Sequence, residues 1–187
     1  MNLHDYYHNL HSSRLLFRKL TIEDAESWIE FYENNPSLPY LGLNLNRTKE
    51  AMARAWVDSQ IARYQQNEFG QLALIDKATG NLIGTRGFRW ADYQGQHYLH
   101  SMGSIKPAYW RQGFGSESAA YLYDFIFRHT NETHIFARCH LHNKASQANL
   151  AKLGFVQQEQ IQLPNRTIHT WLLNKKTWAD KSRTPIK

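Results

Sequence analysis

The chain has 187 residues, of which 42% are hydrophobic and 20% charged, and this composition excludes an intrinsically disordered, collagen-like or coiled-coil protein. The net charge of +6 favours a phosphate-bearing ligand, nucleic acid or an acidic partner, without selecting among them. Cys139 has no second cysteine to pair with, and no apolar run approaches the roughly 18 residues of a membrane span, so we expect a cytoplasmic protein with no membrane role.

A single domain accounts for most of the chain. No repeat, low-complexity tract or proline-rich linker divides the sequence, and its length fits one α/β domain. The sequence therefore predicts an N-terminal extension over residues 1–13, one domain over residues 14–178 and a C-terminal tail over residues 179–187.

In the first half of the chain, runs of strand-forming residues predict strands, and apolar residues three and four apart predict helices. The predicted strands cover residues 14–20, 71–76 and 81–90, with a hairpin loop over residues 77–80. One helix is predicted after Thr21 and a second over residues 48–66. Thr21 can cap the first helix, with Asp24 near the positive end of its dipole.

In the second half, the predicted elements alternate before a closing hairpin. Strands are predicted over residues 98–105 and 135–141, helices over 116–129 and 143–153, and hairpin strands over 155–163 and 167–173. The helix over 116–129 has the apolar spacing of a helix packed on a sheet. Gly154 is suited to the left-handed residue that ends many helices. The predicted order is βααβββαβαββ.

The segment YWRQGFGSE, residues 109–117, lies between a predicted strand and the best predicted helix. Gly113 and Gly115 allow a tight turn and a close approach of ligand to backbone, and the first N–H groups of a helix lack partners within it. The segment therefore predicts an anion site, to which Arg111 adds charge. Ser116 either caps the helix or binds the same anion. A plain strand-to-helix turn is the alternative, and the segment matches neither a Walker loop nor the complete dinucleotide-binding pattern.

A second motif, NKASQANLAKLGF, begins at Asn143. Together with WRQGFGSE it resembles the GNAT superfamily of acetyl-CoA-dependent N-acetyltransferases, in particular its RimJ/RimL-like branch, which includes ribosomal-protein N-terminal acetyltransferases. The opening RLLFRKLTIEDAESW, the segment LIGTRGF and the closing hairpin are similar to that branch as well. The resemblance extends over residues 13–178 and implies acetyl transfer to a primary amine.

The resemblance implies an α/β (α+β) fold with a mixed, largely antiparallel central sheet, a splayed pair of strands and about four flanking helices. It also implies that acetyl-CoA binds as cosubstrate, with its pyrophosphate on the backbone of the glycine-containing bend and its pantetheine along the strand that ends near residue 105. The residues implied in this binding are Ser104, Ile105, Arg111, Gln112, Gly113, Phe114, Gly115, Ser116, Asn143 and Ser146.

The general base is not evident from the sequence. Acyl transfer requires a neutral amine, and many members of the superfamily carry a Glu on the strand before the bend. Residues 94–107 contain no Asp or Glu. His100 is the candidate base because imidazole titrates near neutrality, His97 is a weaker alternative, and a water relay competes with both.

The departing thiolate needs a proton, and the carbonyl oxygen needs a hydrogen-bond donor. The superfamily's usual Tyr is replaced here by Leu150, which cannot donate. The resemblance to RimJ/RimL-like proteins instead implies Ser146, whose hydroxyl can bond to the sulfur. A backbone N–H near Ser104 or Ile105 is the expected donor to the carbonyl oxygen.

Three classes of function remain: an N-terminal protein acetyltransferase, a small-molecule amine acetyltransferase, and a noncatalytic CoA-binding or nucleic-acid-binding module. The net positive charge favours a peptide over a polyamine acceptor if the acceptor groove shares it. We expect acetyl-CoA and a peptide or protein N-terminus or small amine as partners, no nucleic acid, and a monomer or a homodimer.

Histidines and tryptophans supply two further patterns. His4, His8 and His11 have helical spacing, and His140 is close to His142, but neither set has a convincing third ligand of another type, so we expect no metal. Five tryptophans are expected to pack in the core rather than to stack on nucleic-acid bases. They are Trp56, Trp90, Trp110, Trp171 and Trp178.

Overall fold

The computed structural model describes residues 3–8 and 10–182. Its strands are β1 (Leu10–His11), β2 (Leu15–Arg18), β3 (Gln71–Asp76), β4 (Leu82–Tyr93), β5 (Gln96–Ile105), β6 (His134–His140), β7 (Val156–Leu163) and β8 (Arg166–Asn174). They form one sheet in the order β1-β2-β3-β4-β5-β6-β8-β7. Neighbouring strands are antiparallel except β5 and β6, which are parallel. The predicted mixed, largely antiparallel sheet is confirmed.

Helices flank this sheet. They are α1 (Leu3–Tyr7), α2 (Asp24–Trp28), α3 (Lys49–Gln65), α4 (Phe114–His129), α5 (Lys144–Leu153) and α6 (Lys175–Ser182). The four longest, α3 to α6, agree with the number of flanking helices that the family resemblance implies. The sequence patterns located α3, α4 and α5 closely, but they missed α1, β1 and α6.

Side-chain caps and a glycine define the ends of two helices. Thr48 caps α3 by accepting a hydrogen bond from the N–H of Ala51, and Asn143 caps α5 by accepting one from Ser146. Gly154 ends α5 with a φ of 92°, in the left-handed region that glycine favours. These boundaries agree with those predicted from the sequence.

The first predicted helix cap is wrong. The helix α2 begins at Asp24, and the Asp24 carboxylate accepts a hydrogen bond from the N–H of Thr21 at 2.8 Å. The same carboxylate forms an ion pair with Arg18 of β2 at 2.6 Å. Asp24 lies in the first turn of α2, as predicted, and its buried carboxylate also joins α2 to the sheet.

Helices cover both faces of the sheet. The register between β4 and β5 is continuous as far as the hydrogen bond from the N–H of Lys106 to the carbonyl of Ile83. Side chains alternate along a strand, so those of Ser101 and Lys106, five residues apart, point to opposite faces. The Ser101 hydroxyl bonds to Tyr123 of α4, whereas the Lys106 ammonium bonds to Ser27 of α2. We call these two sides the α4 face and the α2 face.

The segment before residue 14 packs on the domain. The Tyr6 ring is fully buried, lies against Phe69, Phe88 and Phe125, and its hydroxyl donates to the carbonyl oxygen of Gly70. The strand β1 pairs with β2. The predicted extension therefore adds aromatic side chains to the core. Of the predicted tail, residues 179–182 lie in α6, and residues 183–187 are outside the described part of the chain.

The predicted tryptophan packing holds for three of the five positions. Trp171 and Trp178 are buried, and Trp56 stacks on Trp28 between α3 and α2. It is wrong for Trp90 and Trp110, which are 41% and 37% exposed.

The parallel strands β5 and β6 separate after a short contact. They pair only at Leu99 with Ile135 and at His100 with Phe136. Beyond this point β5 continues on β4 to Ile105, and β6 continues on β8 to His140. The splayed pair of strands implied by the family resemblance is therefore present.

Replacement of Tyr6 by Ala tests whether the N-terminal segment belongs to the cooperative core. We expect the Tyr6→Ala variant to lose about 3–5 kcal/mol of unfolding free energy, because a buried ring and its hydrogen bond are removed. Urea denaturation measures this loss. Trp90→Ala, which removes a larger but partly exposed ring, is the control and should cost about 1 kcal/mol. An equal or smaller loss for Tyr6→Ala would contradict this account.

Candidate active site

A cleft opens between the separated ends of β5 and β6. Each strand is held on its outer side, β5 by β4 and β6 by β8, so the cleft has two rigid walls. Backbone groups that would pair in a continuous sheet face each other across it without pairing. Such groups favour a ligand that can itself make backbone-like hydrogen bonds.

The register of β5 determines which residues face the cleft. Backbone groups of an antiparallel strand point alternately to its two neighbours. The N–H of Lys106 bonds to Ile83 of β4, so the backbone of Ser104 also faces β4, whereas the backbones of Gly103 and Ile105 face the cleft. Of the two candidates for the carbonyl-oxygen donor, only Ile105 therefore directs its N–H into the cleft.

The carbonyl of Ile105 is already satisfied. It accepts a hydrogen bond from the indole N–H of Trp110 at 2.7 Å. This contact fixes the end of β5 relative to the glycine-containing bend. The sequence predicted that Trp110 packs in the core, whereas its indole lies partly exposed and holds the end of β5. The only signal for this role was an aromatic residue near the start of the motif.

The bend ends at an uncapped helix. Gly113 is the N-cap of α4 with a φ of 83°, and it provides no side-chain cap. The first helical hydrogen bond runs from Glu117 to Gly113, so the N–H groups of Phe114, Gly115 and Ser116 precede it. These groups and the helix dipole favour an anion at this place, as the sequence predicts.

The bend leaves space at its second glycine. A Cβ atom on Gly115 would meet only Ile105 and Arg86, at 3.8 and 4.0 Å, which are ordinary contact distances. Packing within the protein therefore does not require glycine at this position. The bend fits a bound phosphate group that approaches the backbone closely. Arg111 has a φ of 61°, unusual for a residue other than glycine and typical of functional loops.

Arg14 holds the bend from the N-terminal side. Its Nη1 donates to the carbonyl of Gln112 at 3.0 Å, its Nε pairs with Glu117 at 2.7 Å, and its guanidinium lies over the ring of Phe114. The Glu117 carboxylate also accepts a hydrogen bond from Ser12. Arg14 thus fixes the backbone on either side of Gly113, and the side chain of Phe114 is buried beneath it.

The side chain of Ser116 does not cap α4. Its hydroxyl donates to the amide oxygen of Asn149 on α5 at 3.1 Å. The cap alternative is therefore wrong, because Gly113 occupies the N-cap position. The backbone N–H of Ser116 remains available to an anion, and its side chain holds α4 and α5 together.

Ser146 lies in the first turn of α5, on the α4 face of the sheet. It is partly buried, and its N–H donates to Asn143 at 3.1 Å. Its hydroxyl is next to the thiol of Cys139 on β6. Burial raises the pKa of Cys139 above the usual value of a thiol. Cys139 therefore stays a neutral thiol beside Ser146 at physiological pH.

His100 is buried at the point where β5 and β6 separate. Its Nδ1 accepts a hydrogen bond from Arg89, and its ring packs on Phe136. Burial lowers the pKa of His100 to about 3, and the charges of Arg89 and Arg138 act in the same direction. Proton transfer from an α-ammonium group, of pKa about 7.7–8.0, would be uphill by about 6–7 kcal/mol. This environment disfavours His100 as the general base.

Two classes of site have no structural support in residues 3–8 and 10–182. No group of three or more His, Cys, Asp or Glu side chains in this part of the chain could hold a metal ion. None of its helices is both long and apolar enough to cross a membrane.

Comparison with known proteins agrees with the cleft and the bend. A family model described as an acetyltransferase (GNAT) domain matches residues 14–156. The chain belongs to the GNAT acetyltransferase family. Two GNAT relatives are the N-acetyltransferases YoaA of Bacillus subtilis (strain 168), 29% identical, and p20 of Bacillus licheniformis, 26% identical. Each alignment covers 80% of this chain and 83% of the relative.

Solved GNAT structures share the fold. An acetyltransferase of Bacillus anthracis has a TM-score of 0.71 at 20% identity, covering 89% of this chain and 98% of that one. RimL, an L7/L12 α-N-protein acetyltransferase in complex with CoA, has a TM-score of 0.71 at 15% identity, covering 87% of this chain and 95% of RimL. RimJ of Mycobacterium smegmatis has a TM-score of 0.71 at 13% identity, covering 92% of this chain and 94% of RimJ. These likenesses show that the chain has the same fold as RimL and RimJ, and the family match makes the chain an acyltransferase.

The buried His100 makes a prediction about stability in acid. His100 takes up a proton near pH 6.5 in the unfolded chain but only near pH 3 in the native protein. The unfolded state therefore gains protons first, and the free energy of unfolding falls as the pH decreases below 6.5, by at most about 1.4 kcal/mol per pH unit. His100→Gln removes this component and should flatten the slope in urea titrations between pH 7 and 4.5. Gln158→Ala, which changes an exposed residue and removes no titratable group, is the control and should leave the slope unchanged. An unaltered slope in His100→Gln would contradict the assigned burial.

Proposed function

We propose that the protein transfers an acetyl group from acetyl-CoA to a primary amine, and that the acceptor is the α-amine of a peptide or protein N-terminus. The observation that carries this proposal is the continuity of three features: free N–H groups at the start of α4, the unpaired edge of β5, and Ser146 across the cleft. Family membership supports the chemistry.

The bend and the β5 edge suit the two polar parts of CoA. N–H groups at residues 113–116 would hold the pyrophosphate, and the exposed Arg111 and Gln112 border the same bend. The backbone groups of Gly103, which face the cleft, would pair with an amide group of the pantetheine, as a neighbouring strand does. Ser104 would then contribute through its side chain only. RimL and RimJ, which share this fold, have been solved in complexes with CoA and CoA-disulfide.

Two groups of the protein would act on the reacting thioester. The N–H of Ile105 faces the cleft and would donate to the carbonyl oxygen as negative charge develops there. The Ser146 hydroxyl would donate to the sulfur as the carbon–sulfur bond breaks. Asn143 fixes the first turn of α5, so it orients Ser146. In this proposal Asn143 is a positioning residue as well as a candidate contact of the pantetheine.

The amine would lose its proton to water rather than to His100. An α-amine has a pKa of about 7.7–8.0, so a substantial fraction is neutral at physiological pH without a strong base. His100 stays neutral at that pH, and its Nδ1 accepts a hydrogen bond from Arg89. It would therefore contribute by holding the Arg89 side chain in position. A lysine side chain, of pKa about 10.4, would need more assistance, which favours an N-terminal acceptor.

Two further properties remain proposals. RimL is an L7/L12 α-N-protein acetyltransferase, which supports a protein N-terminus as the acceptor over a small amine. The free, buried thiol of Cys139 is compatible with the reducing cytoplasm, where we expect the protein to act. One catalytic domain over residues 14–178 is consistent with the span of the family match.

Acetyl-CoA turnover tests the proposed activity. Thiol release should be stimulated by peptides with a free N-terminus and not by the same peptides blocked with an acetyl group. Ser146→Ala should lower kcat at least about tenfold while the Kd of acetyl-CoA changes little, because the hydroxyl acts on the departing sulfur. Ser59→Ala, on the remote helix α3, is the control. Unchanged turnover in Ser146→Ala would remove its role, and peptide-independent thiol release would contradict the proposed acceptor.

The bend makes a separate prediction about binding. Gly115→Val places a branched side chain where the phosphate would lie, so the Kd for CoA should rise by about tenfold or more in calorimetry. Ala120→Val on the same helix is the matched control and should bind CoA normally. Thermal denaturation of both variants checks that the fold is retained. Normal CoA binding by a folded Gly115→Val variant would exclude the bend as the phosphate site.

A further inference from the structure

Three arginines on the α2 face have no carboxylate partner among residues 3–8 and 10–182. They are Arg89 on β4, Arg138 on β6 and Arg166 on β8. Ion pairs within the described part of the chain involve other cations, among them Arg14, Arg18 and Arg63. Partly buried arginines are usually paired, because removing a charge from water is costly unless an opposite charge compensates.

Direct contacts connect the first two of these arginines. Arg89 donates to His100, the ring of His100 packs on Phe136, and the guanidinium of Arg138 lies over the same Phe136 ring at 4.9 Å. The remaining hydrogen bond of Arg138 goes to the backbone carbonyl of Asp92. The contacts that place the two cations are therefore made to neutral groups.

Arg166 approaches from the other side. Its guanidinium fills the space above Gly42, in the loop between α2 and α3, where a Cβ atom would lie 1.5 Å from Nη1. The same loop places Tyr40 against the ring of His140, at the end of β6. The loop and the start of β8 thus bring Arg166 to the end of β6. We call Arg89, Arg138 and Arg166 the arginine cluster.

The charges within this cluster are not compensated. Burial lowers the pKa of Arg138, and the charge of Arg166 lowers it further. Burial also lowers the pKa of Arg89, with Arg63 and Arg138 contributing. The Nε atoms of Arg138 and Arg166 are buried and have no acceptor within the described part of the chain. Cations that repel each other and retain unused donors are arranged to bind an anion.

Nearby acidic side chains are bonded elsewhere. The Asp92 carboxylate pairs with His97 at 2.6 Å, Glu68 pairs with Arg63 at 2.8 Å, and Glu159 accepts from Gln94. None of these three carboxylates contacts the arginine cluster. These side chains therefore do not neutralise the arginine cluster, which leaves its charge available to a bound anion.

The cluster lies on the side of the cleft opposite the proposed donor site. Phe136 contacts His100 on the α2 face, so by alternation Arg138 lies on that face and Cys139 on the other. Cys139 is beside Ser146, where the thioester would react. An amine that enters from the α2 face would reach the thioester through the cleft, and its adjoining groups would meet the arginine cluster.

We propose that the arginine cluster selects acceptor amines with an anionic group near the amine, and that the acceptor is an N-terminal peptide with acidic residues at its second and third positions. This inference rests on the proposed acetyltransfer and adds the acceptor class. Arg138 and Arg166 bind the carboxylates, while Arg89 contributes charge. Polyamines and lysine-rich peptides are excluded by repulsion. A carboxylate and a phosphate present the same chemistry to guanidinium groups, so a small aminoalkyl phosphate is the alternative source of the anion.

Matched peptides test the inference. Ser-Asp-Glu-Ala-Phe, Ser-Asn-Gln-Ala-Phe and Ser-Lys-Lys-Ala-Phe differ only in charge, and 2-aminoethyl phosphate with ethanolamine forms the small-molecule pair. We expect kcat/KM for the acidic peptide to exceed that of the neutral one by about tenfold or more, mainly through KM, and the basic peptide to be poorest. A preference for 2-aminoethyl phosphate over every peptide would overturn the peptide acceptor and retain only the anion site.

Variants assign the preference to the cluster. Arg138→Gln and Arg166→Gln should each remove most of the advantage of the acidic peptide and change the neutral peptide little, whereas Arg138→Lys should retain part of it. Arg128→Gln on α4, distant from the cleft, should change neither. Equal losses for acidic and neutral peptides, or equal wild-type rates for all peptides, would overturn the inference alone. Absence of turnover with every amine would overturn the proposed acetyltransfer as well.

Discussion

The fold depends on the early separation of two parallel strands. After two paired positions, β5 and β6 diverge, while each of them stays paired with its outer neighbour. Backbone groups left without partners inside a protein are costly, so the separation persists only because β4 and β8 hold both walls. The structure thus maintains an edge to which a chain-like ligand can add. The bend, the helix α4 and the caps of α5 are arranged around this edge.

Contacts distant in sequence keep the mouth of the cleft in place. Arg14 joins the carbonyl of Gln112 to Glu117, and the indole of Trp110 holds the last carbonyl of β5. On the other face, the buried ammonium of Lys106 bonds to Ser27 of α2. These interactions involve backbone or charged groups and are therefore directional, which an apolar contact is not. They position the uncapped N–H groups of α4 relative to the edge of β5.

Local signals in the sequence predicted the elements, and tertiary contacts determined the rest. The cap at Thr48 and the glycine at position 113 are readable because each acts within a few residues of chain. The burial of His100 was not readable, because it results from Phe136 and two arginines on other strands. The choice of Ile105 over its neighbour required the strand register. The core role of Tyr6 was missed since its partners lie far along the chain.

The two faces of the sheet have a kinetic consequence. The bend that suits CoA and Ser146 lie toward α4 and α5, whereas the arginine cluster lies toward α2 and the loop that contains Gly42. Donor and acceptor would therefore enter by separate routes and meet only at the cleft. Such an arrangement allows both substrates to be bound in one ternary complex, in which the amine would attack the thioester directly. Neither substrate blocks the entrance of the other, so either can bind first.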